Sequence, residues 1–333
     1  SKMEIKAADV AKLRQMTGAG MMDCKKALVE AEGDYERAKE IIREKGKLVA
    51  AKRADRETSE GAVIAKVNGG KAIVVGLGCE TDFVAKNAEF QALAEAIAEA
   101  AITNFPADKD ALMACALADG RTVEMAVTEQ TGKTGEKHVI VAYETVEAPF
   151  ISAYMHKITG KLAAVVGFNK AFDEQTAKGV AMQVASMNPV AVSAESVPQS
   201  VIDTELKTAT EKTKEELVQK AVDAALNKAG INPAHVDSEA HIESNQAKGW
   251  ITAEQAEQAR EIIKTVSAEK AANLPEQMVA NIAKGRLQKF FKEQTLEEQG
   301  YQMGDGKTAV KDVVKAADAE AKILCFKRIS LAD

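Results

Sequence analysis

Metal and thiol chemistry find little to work with in this sequence. Among its 333 residues there are four cysteines, Cys24, Cys79, Cys115 and Cys325. No two are close, which excludes a Cys-x-x-Cys motif and a secreted disulfide framework. The four histidines, His138, His156, His235 and His241, form no zinc-protease signature. Proline is scarce at six residues and aromatics make up only 4%, while apolar residues reach 46%. With no Ser/Gly-rich tract, that balance excludes a disordered or fibrous chain and favours an ordered, helix-rich one. The longest purely apolar run, Ala111 to Ala118, is too short to cross a bilayer, which takes roughly 20 residues. The N-terminus has no charged segment leading into an apolar one, and nothing rests on Ser1 and Lys2 ahead of Met3. A basic excess is missing too, with 44 basic against 50 acidic side chains. The expectation is a soluble cytoplasmic protein without cofactor or metal, away from membranes, whose body does not favour nucleic acid.

The length suggests two or three domains. Residues 1–46 read as a small helical module. Val10, Leu13 and Met16 are helically spaced, Gly18-Ala19-Gly20 breaks the run, a second helix covers about 21–31, and a third covers about 35–45. Gly46 suits a C-terminal cap. Residues 47–60 read as a basic linker: residues 1–56 hold 14 basic and 10 acidic side chains, which leaves −10 in the remainder of a chain of net −6. A solvated hinge is the ordinary reading of such a charge run.

After residue 60 a strand-and-helix pattern occurs twice. Glycine-turned hairpins cover 62–77 and 151–168, and Val74-Val75-Gly76-Leu77 repeats as Val165-Val166-Gly167-Phe168 at an offset of 91. The helix faces after them, Phe90, Leu93, Ala94, Ile97, Ala98 and Ala177, Val180, Ala181, Val184, Ala185, repeat at an offset of 87. The first copy therefore carries four extra residues between strand and helix, in the stretch Cys79 to Val84. A loop lengthened relative to its own duplicate is a candidate working surface. The fold class predicted is α+β, with duplicated core subdomains at 61–147 and at 148–203 plus 273–333. A helical hairpin or coiled coil is inserted at 204–272, its second helix opening on a Thr252/Gln255 capping box. A last strand covers about 321–329.

Each candidate site has an ordinary alternative. Gly132-Lys133-Thr134 lacks the phosphate-loop glycine, because Val127 stands in its place, and Gly306-Lys307-Thr308 fails in the same way at Tyr301. Cys24 or Cys79 with His156 would make a thiol dyad, but isolated cysteines are mostly small buried hydrophobes. His156 is a surface strand residue or a contact residue. Met21 and Met22 are core or an adaptable contact pair beside Arg14 and Lys25, with at least one expected exposed. Phe83 packs under the following helix, with Asp82 or Asn87 as a cap, or it is presented outward.

Two motifs then carry a resemblance. Thr17-Gly18-Ala19-Gly20-Met21-Met22-Asp23-Cys24-Lys25-Lys26-Ala27-Leu28 and Thr81-Asp82-Phe83-Val84-Ala85-Lys86 resemble, in order, the two signatures of the bacterial elongation factor Ts family. The duplicated core and inserted hairpin match as well. The resemblance implies a ubiquitin-associated-like N-terminal module. It implies guanine-nucleotide exchange on the GTPase elongation factor Tu, in its GDP-bound and nucleotide-free forms, by a protein that is not itself an enzyme. Arg14, Met21, Met22 and Lys25 fall on positions linked to the partner contact. Thr81, Asp82, Phe83 and Val84 fall on the segment that dislodges the partner's Mg²⁺. His156 falls in the second copy, which meets the partner's nucleotide domain or a neighbouring one. Two departures are a longer hairpin region, for which a homodimer contact is one reading, and a chain end at the last strand without the helical module some members add. The alternative from the residues alone is a non-catalytic protein- or RNA-binding module that uses the N-terminal helices and basic linker, and a thiol enzyme is a third class.

Overall fold

The computed structural model describes residues 4–332, so Ser1 and Lys2 lie outside the described residues. These divide into two compact units, one running to Val192 and resuming at Leu296, the other Ser193–Thr295. The first unit opens with α1 (Ala7–Thr17), α2 (Met21–Glu30) and α3 (Tyr35–Lys52). Val10, Leu13, Leu28, Ala38 and Ile42 form their common core. The break after α1 falls at Gly18, whose φ of 70° lies where a side chain adds strain. Asp34 caps α3 by accepting from the Glu36 and Arg37 amides.

The first core copy comprises β1 (Glu60–Asn68), β2 (Lys71–Cys79), α4 (Asp82–Ala85), α5 (Ala88–Asn104), α6 (Lys109–Met113), α7 (Val123–Thr134) and β3 (Val139–Glu147). The second begins with β4 (Phe150–Met155), β5 (Leu162–Phe168) and α8 (Glu174–Met187). The second unit supplies α9 (Gln199–Lys228), α10 (Glu239–Ala247), α11 (Ala253–Ala272) and α12 (Glu276–Gln294). The second copy then closes with α13 (Val310–Ala317) and β6 (Ile323–Ser330). The Leu296 and Glu297 amides donate to the Ala191 and Val192 carbonyls, so the chain rejoins the core where it left it, as an insertion requires.

Among the described residues the strands form two antiparallel sheets, ordered β1-β2-β3 and β4-β5-β6. The duplication read from the sequence extends to their irregularities. The ladder register shifts between Gly76 and Leu77 in one sheet and between Gly167 and Phe168 in the other, again 91 residues apart. Alternation along the central strands puts Ile73, Val75 and Leu77 under α5, and Ala164, Val166 and Phe168 under α8. Their other faces, with Val74, Ala163 and Val165, meet each other. The core is thus layered helix, sheet, sheet, helix. Glycine lets the sheets approach: a Cβ at Gly167 would stand 2.7 Å from the Ala148 Cβ. The four extra residues of the first copy are α4, one helical turn with no counterpart between Phe168 and Glu174.

The N-terminal helices depart from the sequence reading in one respect. Expected to end near Lys45 with Gly46 as its cap, α3 runs on to Lys52, and Gly46 is buried within it. The cause is tertiary. A Cβ at Gly46 would lie 2.5 Å from the Thr128 carbonyl oxygen of α7, and one at Gly132 would lie 2.9 Å from the Gly46 Cα. The helices touch backbone to backbone, so glycine serves close approach here and not termination. Beside the crossing, buried Glu129 accepts from Arg121 at 2.7 Å, with Arg43 at 3.9 Å.

Within the second unit, Val222, Leu226, Ile231, Ile242, Ile251 and Ala256 form a separate core. The Thr252/Gln255 capping box opens α11 as its spacing predicts. Ser238 caps α10, a helix lying in the segment read as merely polar. Both α11 and α12 pack along α9, so α12, expected with the second core copy, shares contacts with the inserted helices. Among the described residues no helix is long and apolar enough to cross a membrane.

Candidate functional site

The turn between β2 and α5 divides into residues that hold it and residues it presents. Thr81 caps α4 by accepting from the Val84 amide. Its own amide and hydroxyl donate to the two Glu136 carboxylate oxygens at 3.0 and 2.7 Å, and the Glu80 amide joins them at 3.2 Å. Val84 packs on the core and Ala85 is buried in it. With one side so anchored, Phe83 stands 84% exposed. It does not pack under α5, whose cap is Asn87. Asp82 is exposed beside Lys86, their charged atoms 3.5 Å apart. A large apolar ring thus stands raised beside a carboxylate on a braced turn.

Glu80 ties the end of α3 to this turn. Arg53 grips it with two nitrogens at 2.7 and 2.6 Å, and the Lys137 amide donates to it as well. The Arg53 hydrogen bonds are the main reason its carboxyl is held at about 2, below the ordinary 4.5. The folded state favours the ionised form, so this stabilisation is complete above about pH 4.5 and is lost as pH falls toward 2. In thermal unfolding, Glu80→Gln is expected to lower Tm near neutrality, with the gap to the parent protein narrowing across that window. A gap independent of pH would show that the pair contributes nothing to acid sensitivity. Neither Arg53 nor Glu136 was legible as a support for the turn, because both act from distant points in the sequence.

The N-terminal signature reaches the same region. Met21 and Met22 are 60% and 62% exposed at the start of α2. With Val10, Ala11, Arg14 and Lys25 they line an open groove of about 600 Å³. The turn before them is locked from inside. The Thr17 hydroxyl donates to the Leu13 carbonyl and accepts from the Ala19 amide, and the Cys24 thiol donates to the Ala19 carbonyl. A Cβ at Gly18 would lie 3.8 Å from the Lys133 ammonium, which pairs with Glu89 at the start of α5. Lys133 thus lies between the glycine turn and the helix that follows the Phe83 turn, so two motifs more than 50 residues apart come to one side of the core.

His156 lies in the β4–β5 turn, where its Nδ1 faces the Thr159 hydroxyl at 3.1 Å and the Thr159 amide at 3.3 Å. Burial raises the Cys24 pKa and pushes Cys79 to about 12, the latter donating to the Thr81 carbonyl. No cluster of His, Cys, Asp and Glu fit for a metal occurs among the described residues. Much of the basic run near residue 50 is engaged: Lys45 pairs with Asp23, Lys47 with Glu44 and Arg53 with Glu80.

Comparison with known proteins agrees with the two motifs. The family model described as Elongation factor TS matches residues 80–333. Elongation factor Ts of Bacteroides fragilis is 56% identical over 99% of both chains. That of Bacteroides thetaiotaomicron is 55% identical over the same shares. The Porphyromonas gingivalis protein of that name is 39% identical, again over 99% of each.

Proposed function

This chain belongs to the elongation factor Ts family, and from that premise we propose that it is a guanine-nucleotide exchange factor for elongation factor Tu, binding its GDP-bound and nucleotide-free forms. The observation that carries the reading is the exposed Phe83 on its anchored turn. An exchange factor makes and breaks no bonds. It binds the nucleotide-free partner better than the nucleotide-bound one, so each ligand weakens the other by the same factor. Mg²⁺ clamps the phosphates in a GTPase site, and prising apart the elements that position the ion loosens GDP. In this reading Asp82 and Phe83 are the wedge. Thr81 and Val84 hold it, through Glu136 and the core respectively. The first three helices act as a ubiquitin-associated-like module whose groove, with Arg14, Met21, Met22 and Lys25, takes the partner's nucleotide domain. The buried Cys24 and Cys79, with raised thiol pKa values, suit a protein that leaves chemistry to its partner.

The test is release of labelled GDP from elongation factor Tu, timed with and without this protein. Acceleration at micromolar concentration is expected, and none at all would sink the reading.

A further inference from the structure

The sulfur atoms of this chain divide into an inner and an outer set. All four thiols are held above their ordinary pKa, chiefly by burial, so each stays protonated and slow toward oxidants. The thioethers of Met21 and Met22 differ on both counts. A thioether needs no deprotonation to react, and both side chains stand mostly in solvent. The contrast holds within a single turn of α2. Cys24 is buried, with its thiol donating to the Ala19 carbonyl, whereas Met21 and Met22 open into the groove beside it.

Among the described residues Met155, Met187, Met278 and Met303 are exposed as well, Met303 the most at 54%. Each of these stands alone in the sequence. Met21 and Met22 are adjacent, and they share their groove with Arg14 and Lys25. Those two side chains are donors with no acceptor capacity. A sulfoxide oxygen is an acceptor, so oxidation would give the cations a partner inside the groove while Val10 and Ala11 lose their thioether cover.

We propose that Met21 and Met22 form a methionine oxidation site, through which peroxides weaken the factor's hold on its partner and methionine sulfoxide reductases restore it. In the forward step a sulfur lone pair attacks one peroxide oxygen. The S–O bond forms, the O–O bond breaks, and the departing hydroxide takes the remaining proton and leaves as water. Sulfur gives up two electrons and the peroxide gains them. The reverse step draws two electrons from the reductase's thiols, which close to a disulfide, and the oxygen leaves as water. This inference rests on the exchange reading above, in which the groove takes the partner's nucleotide domain. A polar sulfoxide is a poor filler for an apolar contact. Thr81, Asp82, Phe83 and Val84 contain no sulfur, so the wedge itself is spared.

The experiment treats the whole protein briefly with dilute hydrogen peroxide. Peptide mass mapping is expected to find an added oxygen on Met21 and on Met22 ahead of the other exposed methionines. In GDP release the half-saturating concentration of the factor should rise about tenfold or more. The rate at saturation should stay within about twofold, as expected when only uniform binding is lost. Thermal unfolding should not move. Methionine sulfoxide reductases A and B, one for each sulfoxide epimer, should together restore the starting value. The double variant Met21→Leu, Met22→Leu, whatever its own half-saturating concentration, is expected to keep it through the treatment, while Met303→Leu loses affinity as the parent does. Met21 and Met22 left unmodified in protein oxidised at the other exposed methionines would overturn this proposal and leave the exchange reading standing. So would a double variant that loses as much as the parent. An untreated parent that fails to accelerate release removes the exchange reading, and this inference with it.

Discussion

Replacing Phe83 with alanine is expected to slow GDP release from elongation factor Tu about ten- to hundredfold. The magnitude follows from burying one phenylalanine, worth roughly 1.5–3 kcal/mol, with a factor of ten for each 1.4 kcal/mol. The side chain is 84% exposed, so Tm should stay where it is. The pairing of slow exchange with an unchanged Tm is the informative outcome. A variant that unfolds would place Phe83 in the core, and one that exchanges normally would remove the wedge. One ring supplies at most about two powers of ten, so the remainder of the effect has to come from other contacts, and Asp82 and the Met21/Met22 groove are the nearest candidates.

Gly46→Leu is expected to release the first three helices from the core without unfolding either. Leucine is the better helix former by roughly 0.5–1 kcal/mol, so α3 in isolation gains. The crossing loses more. The Cβ alone would meet the Thr128 carbonyl oxygen at 2.5 Å, a backbone atom that cannot swing aside. Overpacking of this kind costs about 1–3 kcal/mol or more. Hydrogen exchange and limited proteolysis should show α3 opening, and the exchange assay should lose activity because the Met21/Met22 groove no longer keeps its place beside the Phe83 turn. Gly285 provides the control. It lies in α12 with nothing near its missing Cβ, so Gly285→Leu should be neutral or stabilising. Equal behaviour of the two variants would show that the α3–α7 contact carries no weight.

What could be read in the sequence was what local rules encode. The two hairpins are legible because each joins apolar strands through glycine. The α5 and α8 faces are legible because helical spacing needs only a short window. The four-residue surplus was visible once the two offsets were compared, and so was the Phe83 turn, although the choice between a packed and a raised ring was not. Val310, Val313 and Val314 carry the same helical spacing for α13. Gly46 shows the opposite case. Its place after an amphipathic stretch argues for a cap, and only the neighbouring helix decides otherwise. The same holds for Arg53, Glu80 and Glu136, ordinary surface charges in the sequence that become the supports of the site when the chain closes.

The extra helical turn has an evolutionary consequence. Its sister loop connects the same strand to the same helix without it, so the chain contains its own reference for what folding alone requires. The outward positions of α4 carry no burden of folding, because the register shift, the strand faces and the helix face are complete before and after it. A gene duplication that left one copy plain and let the other gain a turn would separate the burden of folding from the task of recognition, assigning each to different residues of a single α+β unit.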